Sequence, residues 1–132
     1  MDSRYLIGIT EIDSQHEEIE TIFIALQEAI DDQKCRQDIP GILADLYDKL
    51  KFHFSYEESV MQISSYPETQ EHKRAHLAIL KSFESYEELN LSGSNVEYQG
   101  KPPTQLFYEQ ILAHDSRFAR FIAGHKDRLG IH

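Results

Sequence analysis

Two pairs of side chains that commonly ligate metals stand four residues apart: His53 and Glu57 in HFSYE, and His72 and His76 in HKRAH. On a helix, residues i and i+4 lie on the same face, so each pair points one way. Imidazole nitrogen together with carboxylate oxygen suits iron, manganese or zinc. Bridging carboxylates are how helical bundles hold two metals close together. Either pair alone is a common chance pattern. His16 adds a ligand type upstream, and the stretch YEQILAHDSRFARFI adds Gln110, His114 and Asp115. Of the seven histidines, His16, His53, His72, His76 and His114 fall on apolar faces. Several neutral imidazoles and two carboxylates in a small core would each cost roughly a few kcal/mol if unpaired. One metal site satisfies them jointly.

The elements that must position these residues are helices. Asp13 reads as an N-cap before SQHEEIETIFIALQEAI, with Glu17 and Glu18 in the first turn. Ile19, Phe23, Leu26 and Ile30 share a face, which predicts a helix over about 14–32. Pro40 opens a second, over about 40–64, where Ile42, Leu46, Lys49, Leu50, His53, Glu57, Val60 and Met61 follow a 3–4 spacing. Lys49 is expected at its margin, with its ammonium reaching water. A third, over about 67–89, carries His72, Ala75, His76, Ile79, Phe83 and Tyr86 inward, and Pro67 suits its first turn. After the polar loop NLSGSNVEYQGKPP a fourth, over about 103–123, carries Phe107, Ile111, His114, Phe118 and Phe121. Four amphipathic helices predict an all-α, up-down-up-down four-helix bundle, a single domain over 1–132 with the metal site in its core.

Composition narrows the function. A length of 132 residues suits one core, and a net charge of −10 argues against nucleic acid or an anionic membrane as partner. No apolar run approaches a membrane span of about 18 residues, and the N-terminus MDSRYLIGIT lacks a signal peptide's apolar stretch. The one cysteine, Cys35, cannot form an internal disulfide and reads as an incidental surface thiol. The expected location is the cytoplasm. His125 and His132 read as solvated, Glu58 as surface, and Tyr56 and Tyr86 as packing residues with a wet hydroxyl.

The chain resembles the hemerythrins in their short bacterial form. The resemblance runs from IGITEIDSQH through HFSYEESVM and YPETQEHKRAH to DSRFARFI, nearly the whole length. It implies two iron ions, oxo- or hydroxo-bridged, without haem, binding O2 reversibly at one iron. By position, His16 and His53 would hold the iron with the open site. His72 and His76 would hold the other, and Glu57 and Asp115 would bridge.

The last motif departs from the family. It should read His, four residues, then Asp, but counting back from Asp115 gives Gln110. Ile111 after it, and Phe118 and Phe121 beyond, support that register. On a regular helix of about 100° per residue, Gln110 and Asp115 lie about 70° to either side of the apolar stripe, and His114 points nearest its centre. Three readings stay open. His114 replaces the missing ligand; Gln110 binds through its oxygen or holds a metal-bound water; or the second metal is labile or absent. The favoured function is binding of O2 or a similar small ligand, for storage, delivery or sensing, a sensor needing a separate protein partner. One rival is an enzyme acting on peroxide, O2 or nitric oxide through an extra open coordination position. Another is a bundle loaded with a different metal.

Overall fold

The computed structural model describes residues 5–32, 37–91 and 103–124. Cys35, His125, His132 and most of the loop before Pro103 lie outside the described residues. Every regular element among the described residues is helical: α1 (Thr10–Asp31), α2 (Ile39–Ile63), α3 (Thr69–Leu91), α4 (Pro103–Gln110), a π-helical segment (Ile111–Asp115) and α5 (Ser116–Ala123). Among them no helix is long and apolar enough to cross a membrane. The last three elements run on as one rod, so the architecture is a four-helix bundle.

The helix ends differ from the sequence expectation for local reasons. α1 starts at Thr10, not near 14, and Asp13 lies inside it. Its carboxylate accepts hydrogen bonds from the backbone N–H of Ile7 (2.8 Å) and Gly8 (3.1 Å). Asp13 therefore ties down the entering chain. Gly8, at φ +87°, supplies the left-handed turn that brings both N–H groups round. α2 closes with Ser65 in the left-handed region, at φ 57°. Tyr66 N–H bonds to the Met61 carbonyl (3.0 Å) and Ser65 N–H to that of Gln62 (3.2 Å), which satisfies the helix-end carbonyls. Tyr66 then packs in the same apolar cluster as Met61, and α3 begins at Thr69. Lys49, expected at the margin of α2, pairs with Glu18 of α1 across the surface (2.6 Å).

The core has three layers. A large apolar cluster includes Ile19, Phe23, Leu46, Leu50, Phe83 and Phe107. A smaller one at the other end joins Ile9, Ile12, Met61, Tyr66, Phe118 and Ile122. Between them, in every helix, sit the buried polar residues: His16, then His53 and Glu57, then His72 and His76, then Gln110 and Asp115. α1 meets the small cluster first and α2 the large one first, and the order alternates through the chain. That alternation is the up-down-up-down topology read from packing.

Candidate metal centre

α1 contributes His16, one turn from Ile12 and Ile19, which anchor it in the two apolar layers. α2 contributes His53 and Glu57 on one face, and α3 contributes His72 and His76 on another. All five are essentially fully buried. The side chains converge as two groups that share both carboxylates: His16, His53, Glu57 and Asp115, and Glu57, His72, His76 and Asp115. In each group one donor atom per residue lies within 4.8 Å of all the others.

The carboxylates divide their oxygens between the groups. Glu57 Oε2 faces His53 Nε2 (3.2 Å) and His16 Nε2 (3.9 Å), while its Oε1 faces His72 Nε2 (2.7 Å) and His76 Nε2 (3.2 Å). Asp115 Oδ2 lies 3.2 Å from His16 Nε2, and Oδ1 lies 2.7 Å from His72 Nε2. His16 and His53 bring their Nε2 atoms to 2.9 Å. Ligands at right angles on one ion, with bonds of about 2.1 Å, stand about 3 Å apart. The spacing of this cluster is therefore that of donor atoms around a pair of cations.

The outer ring nitrogens fix the tautomers. His53 Nδ1–H donates to Gln15 Oε1 (2.8 Å) and His76 Nδ1–H to Glu58 Oε2 (2.9 Å). In the neutral rings both Nε2 lone pairs then point inward, at carboxylate oxygens that are also acceptors. A proton or a metal cation has to sit among them. Partners of this kind on the remote nitrogen are what metal-bound histidines usually have. Glu58, expected at the surface, is half-buried in this role. Gln15 escaped the sequence reading; its place one residue before His16 gave no signal of a contact to His53 on the next helix.

The charges follow the same geometry. Burial works to raise the Glu57 carboxyl, but a charge on neighbouring His53 and the hydrogen bonds of His72 and His76 hold it well below the usual carboxylate range. Burial works to lower His72, but its hydrogen bonds to Asp115 and Glu57 prevail and push it up to about 9. His76 is raised as well: burial opposes this, and the bonds to Glu57 and Glu58 outweigh it. Among the described residues, three buried side-chain atoms lack a hydrogen-bond partner: His16 Nδ1, Glu57 Oε2 and Gln110 Oε1. Glu57 Oε2 faces His16 and His53, where a cation would satisfy it, and Gln110 turns its amide nitrogen to His72 and Asp115, so that its Oε1 would meet a cation there on a half-turn of the amide. The residues present fit a metal.

The fourth rod is where sequence geometry and structure part. Over Ile111–Asp115 it adopts π geometry, and Ser116 N–H and Oγ both reach the Ile111 carbonyl, the latter at 3.0 Å. A π turn absorbs one extra residue. Gln110 and Asp115 are then about 40° apart around the axis, where a regular helix would give about 140°. Both are buried, Gln110 at 4% exposure. Gln110 Nε2 lies 2.8 Å from His72 Nε2 and 3.1 Å from Asp115 Oδ1. His114, expected to point nearest the centre, is half-buried, with its ring 5.7 Å from that of His72 and outside both ligand groups. Beyond the π segment, Ile122 is buried and Phe121 only partly so.

Comparison with known proteins identifies a family. Residues 7–123 match the family of the hemerythrin HHE cation binding domain. A bacteriohemerythrin of Stenotrophomonas maltophilia (strain R551-3) is 26% identical over 126 residues, covering 86% of this chain and 82% of that protein. No solved structure matches the chain.

Proposed function

The chain belongs to the hemerythrin HHE cation-binding family, and from that membership we propose that it holds two iron ions and binds O2 reversibly. The observation that carries the reading is the sharing of Glu57 and Asp115, one oxygen each, between two groups of histidines. His16 and His53 would hold one ion. His72 and His76, with Gln110 beside them, would hold the other. Glu57 and Asp115 would bridge. Two bound ferrous ions supply the electrons that O2 needs in order to bind without a porphyrin.

The chain's own residues do the rest. Gln15 and Glu58 hold the rings of His53 and His76 in orientation and keep their Nε2 lone pairs inward. Phe54 stacks on His76 with ring centroids 4.0 Å apart, and Phe107 meets His16 edge-on at 5.6 Å. With Ile19, Phe23 and Leu50 they form a dry wall beside His16 and His53. Such a wall excludes water from a bound small ligand. The proposed setting is the cytoplasm.

A second reading, an enzyme acting on peroxide, O2 or nitric oxide, is favoured by one observation: an amide, Gln110, stands where the family has its third histidine. The test that separates the two uses protein loaded anaerobically with ferrous iron. Reversible colour change over repeated cycles of oxygenation and evacuation supports the carrier. Irreversible bleaching with consumption of peroxide over many turnovers supports the enzyme. A colourless protein that contains zinc would overturn both.

A further inference from the structure

Between α3 and the rod of α4 and the π segment, the packing leaves a groove of about 260 Å³ that opens to solvent at Ala78 and Ala113. Small side chains make it. Ala75 and Ala78 on α3 oppose Ala113 on the π segment, where larger residues would interlock. Ile79 and Leu106 extend a mostly apolar wall, half-buried His114 lines it as well, and Glu109 stands exposed at the rim. Gln110 belongs to two places at once. It lines this groove, and its amide nitrogen lies 2.8 Å from His72 Nε2 and 3.1 Å from Asp115 Oδ1. Its Oε1 is buried without a hydrogen-bond partner. Gln110, with His114 beside it, thus stands between the groove and the half of the cluster built by His72 and His76.

We propose that this groove is an entry path and binding site for a small uncharged molecule at the metal position of His72 and His76. The inference rests on the two-metal reading above and adds a second ligand position to it. The ligand is uncharged because the wall is mostly apolar, the rim carries Glu109, and the chain's net charge of −10 repels anions. It binds at this metal because an amide oxygen is a weaker partner for iron than imidazole and yields its place more readily. A molecule of two to four atoms, such as nitric oxide or hydrogen peroxide, fits the opening that three alanines leave.

Nitric oxide is the probe. Iron content is measured first, on protein loaded anaerobically with ferrous iron, and nitric oxide bound per chain is then followed by visible and electron paramagnetic spectra. The expected result is two bound per chain. Ala78→Leu, which narrows the groove from outside the cluster, should slow one of the two uptake phases at least tenfold and leave the other unchanged. Gln110→His should keep two irons and bind one nitric oxide. Two irons with a single nitric oxide in the unaltered protein would overturn the inference alone, as would unchanged uptake in Ala78→Leu or two bound in Gln110→His. An iron content of one or less would overturn the two-metal reading, and this inference with it.

Discussion

Glu57 and Glu58 are neighbours in sequence, and they carry different expectations. Glu57 gives one oxygen to each histidine pair, so Glu57→Ala should abolish stable binding of both metals. Glu58 bonds His76 Nδ1 and belongs to neither ligand group, so Glu58→Ala should keep the stoichiometry and weaken affinity about 10–100-fold. Metal content after dialysis against a chelator distinguishes them, and equal losses would mean that the facing of α2 is misassigned. Gln110 and His114 form a second contrast. Gln110→Ala should release about one metal per chain and His114→Ala none, because only Gln110 reaches His72 and Asp115 within hydrogen-bond distance. The reverse order would restore His114 as the ligand. Protonation gives a third test. In metal-free protein the His72 pKa of about 9 exceeds its ordinary 6.5, so its contribution to stability is full below pH 6.5 and is lost as pH rises through about 9. Glu57, held below its usual 4.5, contributes above that value and loses its contribution as pH falls further. Chelated protein should therefore melt highest between those limits and several degrees lower by pH 9.5. Metal affinity should instead rise with pH over the same upper range, because binding displaces the His72 and His76 protons.

At the scale of the elements, the π segment sets the site. Deleting Leu112, an exposed residue of that segment, would remove the extra residue, so that Gln110 and Asp115 stand four apart on a regular α-helix and keep their separation of about 40°. The deletion variant should keep its helical circular dichroism and both metals; loss of a metal would show that the π turn does more than absorb the extra residue. The same element marks the limit of what the sequence could tell. His16, His53, Glu57, His72 and His76 were legible because 3–4 spacing maps them reliably onto inner faces of regular helices. Gln110 and Asp115, five apart, share a face only if the helix gains a residue per turn, and no periodicity announces that. A regular wheel therefore favoured His114 and Phe121 over Gln110 and Ile122. Gln15 and Glu58 were invisible for another reason. Each meets a histidine of a different helix, and such contacts depend on packing, not on spacing. Asp13 carried the usual signature of an N-cap, yet its acceptors serve the chain that enters the helix.

Across the whole molecule, a polar layer divides two apolar ones, and every helix passes through it. Buried imidazoles and carboxylates in such a layer repel or strand one another unless a cation joins them. Metal removal should therefore lower the melting temperature by several degrees at pH 7, with reloading restoring it. Equal melting of the two forms would mean that the layer is satisfied by protons alone. The family supplies the cation-binding character, and the geometry supplies a pair of groups with shared bridges. The most direct measurement is the metal content of protein loaded anaerobically with ferrous iron and freed of excess. Two irons per chain is the predicted result; a value fixed at one, with a single site in an anomalous difference map, would contradict it.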